Sequence, residues 1–156
     1  MRFPGSAVQW CMEKTDSGQF RAGGLKSFEI GSSMKRIVIK AGDIEAEAEL
    51  NDSATAEAVW QALPLDGSAN MWGEEIYFRI PVVQELEPNA RELVQIGELG
   101  YWPTGRAFCI FFGVTPISGP GEIRAASAVN IIGRLLGDPK RFLEVQGGTT
   151  IRLERT

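Results

Sequence analysis

Two strand-like runs within residues 70–115 constrain this chain most. Residues 75–80 (EIYFRI) alternate with period 2, and residues 106–112 (RAFCIFF) form a nearly continuous apolar run of strand length. Alternation puts Ile76, Phe78 and Ile80 on one face of the first run, with Glu75, Tyr77 and Arg79 on the other. In the second run Phe108, Ile110 and Phe112 share a face, and Ala107, Cys109 and Phe111 share the opposite one. The Phe- and Ile-bearing faces are expected to enter the core, leaving Arg79 and Tyr77 at least partly exposed. The same segment holds Trp72 and Trp102, two of the four tryptophans, and both tyrosines, Tyr77 and Tyr101.

The rest of the chain has the same character. Residues 35–40 (KRIVIK) and 44–50 (IEAEAEL) read as a hairpin about a turn at Ala41-Gly42-Asp43, with one face in water. Glu45, Glu47 and Glu49 line that face as solvated side chains rather than as a cation site. Asn51-Asp52-Ser53 signals a helix start, with Ser53 or Asp52 as the cap. Ala56, Val59, Trp60 and Leu63 then give the helix one buried face, and Pro64 stops it. Asp66-Gly67 reads as a turn. Short strands are expected at 93–96, 99–102, 128–136 and 149–154, with a helical turn at 138–143. Gly133 inside the 128–136 strand implies a bulge or sharp bend. Turn signals recur roughly every 8–12 residues, as in a sandwich or closed barrel. The 33 residues before Met34 keep no period of either kind and are expected to be a disordered N-terminal extension, with the domain at 34–156.

Charge and composition exclude several functions. The net charge of -4 lacks the basic footprint of a nucleic-acid binder. No apolar run approaches the roughly 20 residues of a membrane helix. The two cysteines, Cys11 and Cys109, make no disulfide framework, and a reducing, cytoplasmic setting is the simpler reading. The chain has no histidine, which removes Ser-His-Asp and Cys-His chemistry and most zinc sites. No metal and no cofactor is expected. The loop at 113–124 (GVTPISGPGEIR) lacks the Lys-Ser or Lys-Thr and the following helix of a phosphate loop.

Three segments, NMWGEEIYFRIPV (70–82), IGELGYWPTGRAFCIFFGVTP (96–116) and AASAVNIIGRL (125–135), carry a family likeness. From Met34 onward the sequence resembles the small prokaryotic cyclophilin-like domains, atypical relatives of the cyclophilin peptidyl-prolyl isomerases. The resemblance implies an all-β fold: a closed eight-stranded cyclophilin-like barrel with one short helix. It implies no established biochemical role. In parent cyclophilins an Arg hydrogen-bonds near the proline amide and lowers a rotation barrier of about 18–20 kcal/mol. Arg79 stands in the stretch similar to the one that holds this Arg. The pocket departs from the parent pattern. Cys109 stands where the parents have the Phe that floors the proline pocket, and the 113–124 loop has neither the parents' Trp nor their His.

Two readings follow. The first is a module that binds a small molecule or peptide in an aromatic-lined groove. Trp72, Tyr77, Tyr101 and Trp102 would supply flat surface with polar tips. Glu74, Cys109, Phe111, Ser127 and Asn130 are the other expected groove residues. The second is a prolyl isomerase with Arg79 as its electrostatic catalyst, against the plainer view of Arg79 as an exposed strand residue paired with Glu75. A fragment of a larger carboxyl- or amide-processing enzyme is a third reading, by fold analogy alone.

Overall fold

The computed structural model describes residues 35–156. The expectation for residues 1–33 lies outside the described residues. Among the described residues the fold is mainly β, with ten strands, one α-helix and one 3-10 helix. In chain order these are β1 (Lys35–Ala41), β2 (Ile44–Leu50), α1 (Ala54–Ala62), β3 (Leu65–Ser68), β4 (Asn70–Met71), β5 (Glu75–Arg79), β6 (Arg91–Val94), β7 (Glu98–Trp102), β8 (Ala107–Phe111), β9 (Ile123–Leu135), the 3-10 helix (Pro139–Glu144) and β10 (Thr150–Arg155). Among the described residues no helix is long and apolar enough to cross a membrane.

The strands lie in the order β3-β10-β1-β2-β9-β7-β8-β5-β4, all pairs antiparallel, with β6 pairing β9 off this path. Hydrogen bonds do not close the path, as the expected closed barrel of eight strands would require. Its two ends, β3 and β4, are instead successive parts of one extended segment that meet at Ala69. Ala69 pairs with the turn before β10, its N–H donating to the Thr149 carbonyl and its carbonyl accepting from the Gly148 N–H. The segment thus leaves one neighbour, β10, and takes up another, β5.

Local signals explain most elements. Ser53 is the cap of α1: its Oγ accepts from the Ala56 N–H at 3.1 Å. Trp60, expected in the core, is only partly buried, and the Arg155 guanidinium lies 4.4 Å from its ring centroid. The expected turn at Asp66-Gly67 is strand. Gly67 is there because a Cβ would sit 2.8 Å from the Phe78 ring. β9 begins five residues earlier than its apolar run, because its polar start pairs with β6. The bulge that Gly133 implied is present: Leu99 faces Gly133 and Gly100 faces Ile131, so the register slips by one. At Gly133 β9 also passes so close to β2 that a Cβ would lie 2.1 Å from the Glu49 carbonyl oxygen.

The predicted strand faces hold. Ile76, Phe78, Ile80, Phe108, Ile110 and Phe112 are buried in the main core with Leu99 and Tyr101. The other face of the same sheet is not simply wet. Ala107, Cys109 and Phe111 of β8 join Val94 of β6 and Ala125 and Val129 of β9 in a second apolar cluster. β6 and the first half of β9 cover part of that face, and the candidate site lies in the part left open.

Candidate functional site

Strand alternation aims Glu75 and Tyr77 of β5 at the second cluster, because their neighbours Ile76 and Phe78 fill the first. Trp72, just before β5, Trp102 at the end of β7, and Ala125, Ala126 and Val129 of β9 complete the lining of a pocket of about 240 Å³. Trp72, Tyr77 and Trp102 are each partly exposed and Ala126 is exposed, so the pocket opens to solvent. Tyr77 and Trp102 meet edge to face, with centroids 6.5 Å apart and planes at 80°, and form two walls nearly at right angles. The Trp102 indole N–H donates to Ser127 Oγ at 2.6 Å, and Gly105 lies so close under the ring that a Cβ would fall 2.6 Å from it.

Glu75 is the chemical centre of this pocket. Only 5% of its surface is exposed, and no cation, N–H or O–H of the described residues supports its charge. Burial pushes its carboxyl up from the ordinary 4.5 to about 7, and the neighbouring Cys109 thiol draws it back slightly. The thiol is a weak donor whose hydrogen bond reaches the Ala107 carbonyl at 3.8 Å. Burial, and then the charge of Glu75, hold that thiol well above its usual range, so Cys109 is a packed side chain rather than a nucleophile. No cluster of three or more metal-ligating side chains occurs among the described residues.

The expected groove residues divide. Trp72, Tyr77 and Trp102 line the pocket together, and Ser127 reaches it only through its bond to Trp102. Cys109 and Phe111 lie behind the lining, in the second cluster. Tyr101 does not belong here. It is fully buried on the opposite face, and its hydroxyl donates to the Val82 carbonyl. Glu74 points elsewhere too: its carboxylate pairs with Lys140 at 3.1 Å and folds over Gly113, where a Cβ would collide with it.

Asn130 is structural. Its Oδ1 accepts from the Glu87 N–H at 2.8 Å, and its Nδ2 donates to Thr55 Oγ1 at 3.0 Å and to the Glu85 carbonyl at 2.9 Å. Glu87 also accepts from the Thr55 N–H at 3.0 Å, which places a carboxylate at the N-terminus of α1. Arg79 ends β5 exposed, opposite Ala107, outside the pocket lining and with no ion pair to Glu75. The Glu75–Arg79 pair expected from their spacing is absent because Glu75 turns inward under the β9 segment. Sequence reasoning placed Glu75 on a water face. The signal that could have found it is an acidic residue at i-2 from Tyr77, on a strand whose partner carries Cys109 and Phe111 on the matching face.

The comparisons agree with this architecture. No curated protein matches the chain. The solution structure of the hypothetical protein AF2241 from Archaeoglobus fulgidus is 40% identical in sequence, with a TM-score of 0.67, and the match covers 79% of this chain and 95% of that one. The model of the family described as Cyclophilin-like matches residues 35–154. With these residues matched, and with the fold above, the chain belongs to the cyclophilin-like family.

Proposed function

We propose that this domain is a binding module that takes a small molecule into the Trp72–Tyr77–Trp102 pocket, held by aromatic packing and by one polar bond to Glu75. The observation that carries this reading is the Glu75 carboxyl, 5% exposed on the wall of an aromatic pocket with only a thiol against it. A buried carboxyl without hydrogen bonds costs several kcal/mol of stability, so packing gives no reason to keep it there. A ligand that bonds to it does. The volume of about 240 Å³ supports a small molecule over a length of peptide. Sites that enclose drug-sized ligands run to about 300–1,000 Å³.

Prolyl isomerisation gains no such support. Arg79 stands outside the pocket lining, and the side chain in place of the parents' pocket floor, Cys109, is covered.

Thermal-shift screening of small amines, alcohols and carboxylates tests the reading, with wild type beside Ala126→Phe. Ala126 is exposed and lines the pocket, so a phenyl ring there fills the space without disturbing the core. Compounds that stabilise the wild type and lose their effect in Ala126→Phe are expected. Compounds that stabilise both equally place binding elsewhere and overturn the reading.

A further inference from the structure

We propose that the pocket's ligand is an organic ammonium compound, its positive charge set against the Glu75 carboxylate among the rings of Trp72, Tyr77 and Trp102. The inference rests on the pocket being the binding site and names the chemical class that fits it.

The lining carries one acidic group and no Lys or Arg. The basic side chains of neighbouring segments, Arg79, Arg106, Arg124 and Lys140, lie outside the lining. Lys140 is paired with Glu74, Arg124 with Glu92 and Glu122, and Arg79 stands exposed beyond the lining. An anionic ligand would therefore meet Glu75 with nothing to offset it. A neutral apolar ligand would leave the carboxyl with no partner beyond the Cys109 thiol. A cation does neither: it supplies the countercharge to a carboxylate that burial has already stripped of most of its water.

The aromatic walls favour the same class. A cation within about 6 Å of a ring centroid is attracted by the electron-rich face, most strongly by Trp. Two of the three rings here are Trp, and the near-perpendicular Tyr77 and Trp102 planes form a corner in which a compact cation can approach more than one ring. Ala125, Ala126 and Val129 form the remaining wall, so alkyl groups on the nitrogen meet small apolar side chains. A strongly hydrated ion such as sodium would gain nothing from that wall. An alkylated ammonium gains from every side of the site.

The experiment uses choline and its neutral carbon isostere 3,3-dimethylbutan-1-ol, titrated calorimetrically into the wild type and Glu75→Gln at pH 8. Choline is expected to bind the wild type at least about tenfold more tightly than the isostere, and Glu75→Gln to remove most of that preference. A peptide carrying trimethyllysine separates the sources. Tighter binding of choline marks a free ligand, tighter binding of the peptide marks a modified side chain, and either carries the ammonium assignment. Equal binding of choline and the isostere by the wild type overturns the assignment while leaving the pocket as a binding site. No binding of any of the three, by a protein whose melting curve is intact, overturns both.

Discussion

The Trp102 indole N–H and the Ser127 hydroxyl, 25 residues apart in sequence, are joined at 2.6 Å and tie the end of β7 to β9. With Gly105 against the ring, this bond fixes one wall of the site. Ser127→Ala leaves a half-buried indole N–H without its partner. The expected cost is about 1 kcal/mol in urea denaturation, because a donor that keeps some access to water loses only part of its bond. A midpoint unchanged from wild type would mean that Trp102 is held by packing alone.

Glu75 makes stability depend on pH in a direction opposite to that of most carboxylates. Unfolded, it ionises near 4.5; in the native chain the value is about 7. Between these pH values the native chain holds a proton that the unfolded chain has released, so unfolding becomes easier as pH rises. The stability is fully present below pH 4.5 and lost as pH rises through 7, by on the order of 3 kcal/mol. The facing Cys109 thiol stays protonated across this window, because burial and the Glu75 charge raise it. Glu75→Gln lacks the titration. The melting temperature of wild type minus that of Glu75→Gln is expected to fall from pH 4.5 to pH 8. A difference that does not change with pH would show that the carboxyl is not held protonated.

Gly133 tests the bend of β9. A Cβ there meets the Glu49 carbonyl oxygen at 2.1 Å and the Leu50 Cα at 3.1 Å, both backbone atoms that cannot swing aside. Gly133→Ala is expected to destabilise by at least about 1–3 kcal/mol, the range for overpacking, even though Ala is the smallest possible addition. An Ala variant as stable as wild type would mean that β2 and β9 separate at little cost.

Phe108 tests the packing of the main core. It is fully buried beside Phe78, with ring centroids 5.4 Å apart. Phe108→Ala is expected to cost about 3–5 kcal/mol in chemical denaturation. A loss below about 1 kcal/mol would show that the ring is not packed in this core.

The sequence revealed the fold through local patterns and missed the site where long-range packing decides. Period 2 separated Phe78 from Tyr77 and Phe108 from Cys109, since each strand carries its own alternation. Ser53 could be read as a cap from its place before an apolar helix face. Tyr101 could not be placed, because the strand around it is short and Gly100 and Trp102 give no contrast of polarity. Glu75 could not be placed either. Its burial follows from β6 and the start of β9 folding over the outer face of the sheet, a contact between segments far apart in sequence. Asn130 looked like a groove residue for the same reason. Its three partners, Thr55, Glu85 and Glu87, come from a helix start and a polar connection that show no sequence relation to it.

The proposed binding site is the concavity among Trp72, Glu75, Tyr77 and Trp102. The most direct measurement is nitrogen-15 NMR during titration with choline, since each tryptophan indole gives its own resonance. Trp60, on α1 and outside the pocket lining, is an internal control. The Trp72 and Trp102 indoles and the backbone amides at 75–77 and 125–129 are expected to shift in a saturable manner, while Trp60 and the amide of Arg79 stay in place. Shifts centred on Arg79, or no saturable shift at the Trp72 and Trp102 indoles, would contradict this assignment of the site.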